Sequence, residues 1–488
     1  MDKLRTRFAP SPTGYPHVGN IRTALYDYLL ARKSGGTFVV RIEDTDRDRH
    51  NESAIAMIVE DLRWLGLEWD EGIEVGGPHE PYRQSLRLER YAQCIRRLLE
   101  EGKAYHAFDT EAELDALREK AMAEKRTFRY DRPASLPTAA DVERARAEGR
   151  PVVVRFLCPA RDLTIHDEVF GDVTMPAAEM EDFIIQKADG YPTFYLANAA
   201  DDADMEINFV TRGQEFLGQT WRQVFLREAL GFPEPRYAHL PMIMDMKGRK
   251  LSKRDGDVDV HSFRKAGYLP EVMVNFIALL GWNPGGDRER MSLAEMVELF
   301  SVDRIGKSNA KFDRDKLLAF NTDALAAAGE ERLLAGLKDY LSLNETPIPA
   351  HDEDMLRRLL KANHGMRTFA DIPFKCNVLF APDDAFAYDE AVVAKVLTKN
   401  DGEGLKALAA VRELLAGCPW QADKLEEMIK DFCQSRTLGM GKVAQPLRVA
   451  VTGTTISPSI YDTLLILGKE RSLARIDRCL STFRPCPG

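Results

Sequence analysis

The feature that most limits how this chain folds is a proline-rich stretch, Pro10-Ser11-Pro12-Thr13-Gly14-Tyr15-Pro16, set between a short extended run and a helical repeat. Proline fixes its own φ and pushes the preceding residue toward extended geometry, so three prolines in seven residues forbid a helix there and predict a rigid loop. Before it, residues 5–9 read as a strand. After it, Ile21, Leu25, Tyr28 and Leu29 recur at helical spacing until Ser34-Gly35-Gly36 stops the helix. Phe38-Val39-Val40-Arg41-Ile42 then has the β-branched, apolar character of a buried strand and ends in Glu43-Asp44-Thr45-Asp46. Strand, helix and strand in about forty residues make a βαβ unit, whose crossover is right-handed over a parallel sheet. The expected class is α/β with a nucleotide-type fold at the front of the chain.

Further along, the texture changes. Charged helical stretches at 111–125 and 140–148 lead into β-type pieces such as Val152-Val153-Val154-Arg155-Phe156, which reads as an insertion. Sheet-and-helix texture returns at 182–230, and a basic loop, Lys247-Gly248-Arg249-Lys250-Leu251-Ser252-Lys253-Arg254, closes that part. Beyond about residue 321 the pattern is helical, with Leu425, Met428, Ile429, Phe432 and Cys433 at i, i+3, i+4, i+7 and i+8. Breaks at 381–384 and 417–419 suggest two helical subdomains meeting near residue 390. At 488 residues, three or more domains are expected on length alone, at about 150 residues each. Hydrophobic residues at 44% and charged residues at 30% exclude disordered and collagen-like classes. Seven cysteines without a CxxC pair suggest reduced thiols and a cytoplasmic setting. The first ten residues have no apolar core, so no secretory signal is expected, and the longest apolar stretch, 272–282, is too short to span a bilayer. A net charge of −10 argues against a chain coated with nucleic acid but leaves room for a local basic groove.

Two segments carry chemistry. His17-Val18-Gly19-Asn20 opens a helix, where unpaired backbone N–H groups and the positive dipole end favour phosphate. Gly19 admits close approach of a flat ligand, and His17 can donate to a phosphate oxygen. Alone, such a segment is more often an ordinary helix cap. Lys250-Leu251-Ser252-Lys253-Arg254 offers several cations that could follow charge onto a leaving pyrophosphate, although a lone basic run is usually a solvated loop.

Together with Arg7-Phe8-Ala9-Pro10-Ser11-Pro12-Thr13-Gly14 and Arg41-Ile42-Glu43-Asp44-Thr45-Asp46, these segments closely resemble the class I glutamyl-tRNA synthetases, with His17 to Asn20 similar to their HIGH signature and Lys250 to Arg254 to their KMSKS loop. Trp64-Leu65-Gly66-Leu67, Pro81-Tyr82-Arg83-Gln84-Ser85, Gly267-Tyr268-Leu269-Pro270 and Gln445-Pro446-Leu447-Arg448 extend the resemblance from end to end. It implies a class I Rossmann-type parallel-sheet catalytic domain with an inserted acceptor-binding domain, followed by an all-α anticodon-binding C-terminal half. The expected boundaries are 1–110 and 181–245 for the two catalytic halves, 111–180 for the insertion, 246–321 for a stem-contact domain, and 322–390 and 391–488 for two helical anticodon-binding subdomains.

The resemblance further implies ligation of L-glutamate to tRNA(Glu) through a glutamyl-adenylate, with ATP and its Mg²⁺ as substrate and no covalent enzyme intermediate. Catalytic roles fall to His17, Gly19, Asn20, Lys250 and Lys253. Glutamate contacts fall to Arg7, Ala9, Ser11, Glu43, Phe194, Asn198 and Arg212, and ATP contacts to Pro10, His17, Gly19, Glu215, Lys250, Ser252 and Lys253. A metal ligand set is not expected, and four-ligand zinc is improbable with Cys158 alone in the insertion. Expected partners are tRNA(Glu), L-glutamate and ATP, without a membrane, for a monomer. Lys103, Lys120, Lys125 and Arg126 could meet tRNA phosphates, but each singly reads better as part of a solvated helix face.

The chain departs from the family pattern at two places. Phe194 stands where a substrate-binding tyrosine is usual, with Tyr191 or Tyr195 as candidates to restore the hydroxyl. Gln214 follows Gly213 where Glu is usual, leaving Glu215 to supply the acid. Competing readings are a glutaminyl-tRNA synthetase, disfavoured by the 41–46 segment and the helical C-terminal half; a truncated glutamyl-queuosine enzyme or a small nucleotidyltransferase, which leave that half unexplained; and a silent tRNA-binding paralogue, hinted at by Phe194 and Gln214. Whether Arg367 matches the family's anticodon-reading arginine is ambiguous, which leaves open a non-discriminating enzyme that also charges tRNA(Gln).

Overall fold

A computed structural model describes residues 2–45, 52–251 and 258–483. The chain divides into two compact units, one formed by 1–262 with 273–313 and the other by 263–272 with 314–488.

In the first unit, strand β1 (Arg5–Phe8) passes through the proline-rich loop into helix α1 (Val18–Ser34), and strand β2 (Thr37–Val40) returns parallel to β1 in the register Arg5 to Thr37. The helix begins where the last proline ends and stops at Gly35, whose φ of 62° lets its N–H reach the carbonyls of Ala31 and Arg32. Ile21, Ala24, Leu25 and Leu29 are buried along one face, each leucine contributing roughly 1.5–3 kcal/mol of transfer free energy. After helix α2 (Glu52–Trp64), strand β3 (Glu71–Gly72) joins β2, again parallel. Helix α3 (Leu88–Glu100) and strand β4 (Ala104–Ala107) follow.

Helices α4 (Glu111–Ala123) and α5 (Ala139–Ala147) then match the charged stretches at 111–125 and 140–148 to within two residues. Each starts with a capping box, Thr110 with Glu113 and Thr138 with Asp141, which satisfies orphan N–H groups at both starts. Strands β5 (Val153–Phe156), β6 (Leu163–Asp167), β7 (Gly171–Met175) and β8 (Phe183–Gln186) come next. They are followed by helix α6 (Phe194–Asp204), strand β9 (Phe209–Gly213), helix α7 (Thr220–Leu230), strand β10 (Arg236–Leu240) and strand β11 (Ile243–Met244).

Strands β4, β5 and β8 form an antiparallel sheet. Strands β9, β10 and β6 run parallel, with β7 antiparallel on β6 at the edge, so two strands from within 111–180 extend the sheet that holds β9 and β10. Side chains of α3, α6 and α7, among them Tyr91, Ile95, Leu196, Trp221 and Phe225, share one apolar core with Phe156 and Phe183.

The second unit, over its described residues, is helical with connecting turns. Leu425, Ile429, Phe432 and Cys433, the positions marked by helical period, are buried on helix Ala422–Ser435, with Met428 packed partly buried beside them. Helix Lys469–Thr482 sends Arg475, wholly buried, to the carbonyls of Val378 (2.9 Å), Val451 (2.8 Å) and Ala381 (2.8 Å) and to Asp383 (2.7 Å). Arg471 also pairs with Asp383, so this helix clamps the break at 381–384. Gly267 has a φ of 87°, and a Cβ there would lie 2.7 Å from the backbone nitrogen of Phe369, so no larger residue fits. No described helix is long and apolar enough to cross a membrane.

Candidate active site

Strand β1 lies beside β9 near their starts. The N–H of Arg5 donates to the side-chain oxygen of Asn208 (2.8 Å), and the N–H of Asn208 donates to the carbonyl of Arg5 (3.2 Å). From β1 the sheet proceeds to β2 on one side, and from β9 to β10 on the other. Such a reversal of strand order opens a crevice beyond the carboxyl ends of the strands, where open α/β sheets bind ligands. A cleft of about 590 Å³ lies there, lined by the end of β1, the proline-rich loop, the first turn of α1, Glu43, α6 and the segments following β9 and β10. Arg7, Ala9, Pro10, Ser11, His17, Gly19, Asn20, Glu43, Phe194, Asn198, Arg212, Glu215 and Lys250 all line it. Ser252 and Lys253 lie outside the described residues.

His17 is the N-cap of α1 and accepts the N–H of Gly19 at Nδ1 (3.1 Å). An Nδ1 that accepts puts the ring proton of neutral imidazole on Nε2, as a donor. The loop is pinned to the strand end that bears the acid, since the N–H of Glu43 donates to the carbonyl of Pro10 (3.0 Å). A Cβ built on Gly19 meets only His17 Nδ1, at 3.5 Å, so the protein itself leaves room there. Gly213 differs: a Cβ would lie 2.2 Å from the carboxylate of Glu215, which rests against it.

Beneath the cleft floor, charges from distant parts of the chain converge. Arg41, fully buried, pairs with Asp202 (2.8 Å) and Glu43 (3.1 Å), while Arg7 pairs with Asp202 (3.2 Å) and donates to the carbonyl of Thr211 (3.3 Å). Burial acts to raise the pKa of Asp202, yet Arg7, Arg41 and Arg227 together hold it at about 2. Glu43 behaves oppositely. Burial outweighs Arg41 and Arg7 and lifts its carboxyl to about 7, with Asn198 Nδ2 donating to Oε1.

Arg212 is buried in another manner. Its Nε donates to His239 Nε2 (3.0 Å), Nη1 to Gln223 Oε1 (2.5 Å) and Nη2 to Thr220 Oγ1 (2.8 Å), and no carboxylate of the described residues lies within 4.0 Å. Burial lowers its pKa to about 10, which leaves it cationic at neutral pH. Of five guanidinium N–H groups, two remain for a ligand in the cleft. A buried cation whose partners are all neutral is costly until an anion arrives, so the pocket is built for a carboxylate or phosphate.

The basic loop is anchored on both sides. Leu251 N–H donates to the carbonyl of Ile243 (3.1 Å), and Val18 N–H donates to the carbonyl of Val258 (2.9 Å), with Tyr15 stacked on His261 at 4.0 Å. Asp245 shapes the turn before it by accepting the N–H groups of Lys247 and Arg249, both at 2.8 Å. The residues flanking 252–257 thus adjoin the His17 segment.

The hydroxyl absent from Phe194 is not restored by its neighbours. Tyr195 hydrogen-bonds Gln219, and neither Tyr191 nor Tyr195 lines the cleft; the Phe194 ring instead packs 5.5 Å from Phe216. Gln214 is likewise outside the lining, whereas Glu215 is in it. Lys103 donates to Glu101 and to the carbonyl of Ala229, and Arg126 pairs with Glu124. Arg367 precedes helix Asp371–Phe380, with its N–H on Asp371.

Sequence reasoning missed Arg22, Thr211, Asp202 and the His239–Asp167 pair. Asp201-Asp202 carried no assignment from the sequence. The one available signal was the alanine-rich face, Ala197, Ala199 and Ala200, that carries both acids into the core. Among the described residues no group of three or more His, Cys, Asp or Glu side chains is placed to hold a metal ion.

Comparison with known proteins accords with this geometry. A family model for the catalytic domain of class I tRNA synthetases (E and Q) matches residues 3–319, and one for an anticodon binding domain matches 332–480. A glutamate–tRNA ligase of Anaeromyxobacter sp. (strain Fw109-5) is 42% identical over 98% of this chain and 99% of its own, and one of Moorella thermoacetica is 38% identical over 99% of each. The crystal structure of a glutamate tRNA ligase from Elizabethkingia meningosepticum in complex with its amino acid superposes with a TM-score of 0.80 at 33% identity, covering 99% of this chain and 100% of that one.

Proposed function

The chain belongs to the class I tRNA synthetases, within the glutamate–tRNA ligase family, and from that premise we propose that it joins L-glutamate to tRNA(Glu) with ATP at the cleft beyond β1 and β9. The observation that carries the assignment of the pocket is Arg212, a buried guanidinium held only by neutral acceptors, which matches the side-chain carboxylate of glutamate. Glu43 would face the substrate ammonium, with Arg7, Ala9, Ser11, Phe194 and Asn198 completing the amino-acid pocket. His17, Gly19, Asn20 and Pro10 at the start of α1, with Glu215, Lys250, Ser252 and Lys253, would hold the nucleotide.

The chemistry then needs no enzyme nucleophile. The α-carboxylate of glutamate attacks the α-phosphate of ATP in line, pyrophosphate leaves, and a ribose hydroxyl of the tRNA takes the glutamyl group while AMP departs. The rate comes from alignment of the two bound substrates and from preorganised donors on the phosphates, with His17 Nε2–H, the α1 N-terminus, Lys250 and Lys253 as those donors. A Mg²⁺ would enter on the nucleotide phosphates, as part of the substrate. We expect the enzyme to act as a monomer in the cytoplasm, reading tRNA with the helical unit that matches an anticodon binding domain.

The test is ATP–pyrophosphate exchange with glutamate, glutamine and aspartate in turn, each with and without total tRNA. Glutamate-dependent exchange in the presence of tRNA is the expected result. Bound tRNA without exchange under any condition would overturn the catalytic reading, and exchange with glutamine alone would overturn the assignment of the amino acid.

A further inference from the structure

The neutrality of the groups around Arg212 has its own structural cause. Asp167, at the end of β6, accepts both the backbone N–H (3.0 Å) and Nδ1 (2.6 Å) of His239 in β10. Asp167 Oδ1 also takes the N–H groups of Val169 (3.0 Å) and Phe170 (2.8 Å), so its carboxylate is fixed in place and held below its usual range. With its proton committed to Asp167, the imidazole presents a lone pair at Nε2, and that lone pair accepts Nε–H of Arg212. The hydroxyl of Thr220 donates to the carbonyl of Phe216 (2.9 Å), which leaves its oxygen to accept from Nη2 of Arg212. Gln223, on α7, offers a carboxamide oxygen where a glutamate of nearly the same shape would offer a carboxylate.

Every acceptor on Arg212 is therefore oriented without being charged, although the chain holds carboxylates close by for Arg7 and Arg41. The difference matters for selection. A guanidinium already paired with a carboxylate presents little net charge, and binds a carboxamide nearly as well as a carboxylate. A guanidinium held by neutral acceptors keeps its charge, and its two remaining N–H groups reject an amide nitrogen, which is itself a donor.

We propose that Gln223, Thr220 and His239 are specificity-determining positioning residues, which fix the guanidinium of Arg212 without neutralising it and so make the pocket select glutamate over glutamine. Asp167 serves this arrangement by setting the tautomer of His239. The proposal rests on the reading of Arg212 as the contact for the substrate side chain.

The experiment measures kcat/KM for glutamate and for glutamine by tRNA-dependent ATP–pyrophosphate exchange in the full-length enzyme, together with the melting temperature. In Gln223→Glu the new carboxylate pairs with Arg212. The glutamate-to-glutamine ratio should then fall by about 100-fold or more, the scale on which a buried charge with a partner differs from one without, while the melting temperature does not fall. Gln223→Met removes the hydrogen bond but leaves the charge, and should keep the ratio within about fivefold while KM rises. If Gln223→Glu does not fold, Thr220→Asp puts a carboxylate on Nη2 and is read the same way. An unchanged ratio in the charge-adding variant, or an equal collapse of the ratio in Gln223→Met, overturns the proposal. Arg212→Ala separates the two levels of inference. Unchanged glutamate kcat/KM in that variant removes Arg212 from the pocket altogether, whereas lost glutamate preference there with an unchanged ratio in Gln223→Glu sinks only the neutral-cage proposal.

Discussion

Glu43 gives the proposed pocket a pH dependence that can be worked out in advance. Its carboxyl titrates near 7 in the free enzyme, raised by burial against the opposing pull of Arg41 and Arg7. The substrate ammonium binds the carboxylate form, so a protonated Glu43 must lose its proton first. The apparent dissociation constant for glutamate is then multiplied by 1 + 10^(pKa − pH), about 11 at pH 6 and about 1.1 at pH 8, a tenfold loss of affinity as pH falls between them. At pH 7 about half a proton should leave per glutamate bound, because half of the free enzyme carries one. Titration calorimetry with tRNA present, in buffers of different ionisation enthalpy, measures both quantities. Free glutamate has no group that titrates in this range. In Glu43→Gln the slope and the proton release should vanish together with most of the affinity. Affinity that is flat from pH 6 to 8 in the parent, or a slope that survives in Glu43→Gln, refutes the reasoning.

The same shift predicts a gain in stability. A folded-state pKa above the unfolded 4.5 means that the stabilisation from protonated Glu43 is lost as pH rises from about 4.5 to 7, so substrate-free Glu43→Gln should melt above the parent at pH 8. Gly19→Ala should melt no lower than the parent, since alanine is the better helix former by up to about 1 kcal/mol and meets only His17 Nδ1 at an ordinary distance. Its KM for ATP should nonetheless rise by about tenfold or more if the nucleotide lies against that backbone, and an unchanged KM removes Gly19 from the ATP site. Lys253→Ala should slow adenylate formation by about two powers of ten or more, as loss of a donor to transition-state charge does; unchanged single-turnover rates discard that role. Arg475→Met nearly keeps the volume but strips three carbonyls, that of Val451 buried and those of Val378 and Ala381 half-buried, and Asp383 of a partner. Chemical denaturation should show a loss of about 3–5 kcal/mol in the helical unit, and a loss under 1 kcal/mol would mean that water replaces the guanidinium.

How much of this was legible in the sequence follows from how far each signal reaches. The run from β1 through the prolines to β2 is local, and its strand and helix limits fell within a residue or two because each stop is a proline, a glycine or a change of period. The helical unit announced itself through Leu425 and its periodic partners for the same reason. What periodicity does not carry is the pairing of Arg7 with Asp202 or of His239 with Asp167, which lie 195 and 72 residues apart. The resemblance named Arg7, Glu43, Asn198 and Arg212 and included Arg41 in a quoted motif without a role, while Asp202 and Gln223 stayed invisible. The guess that Tyr191 or Tyr195 replaces the hydroxyl absent from Phe194 went astray at a helix start. Tyr195 follows Phe194 by about 100° of helical turn, so although the two rings touch edge to face at 5.6 Å, the Tyr195 hydroxyl is carried to Gln219 and not into the cleft.

The placement of β1 beside β9 also sets an order of events as the chain leaves the ribosome. Arg7 emerges early, and Asp202 appears 195 residues later, which at about 5–20 residues per second is a wait of roughly 10–40 s. During that interval β1 can pair with β2, but its other edge, destined for β9, has no partner, and Arg7 and Arg41 lack the acid that joins them. The cleft cannot close until β9 and β10 arrive. The first two hundred residues therefore form an intermediate with an exposed strand edge and an incomplete ion-pair network around Arg7 and Arg41, and a nascent chain stalled there is the form of this protein most in need of a chaperone.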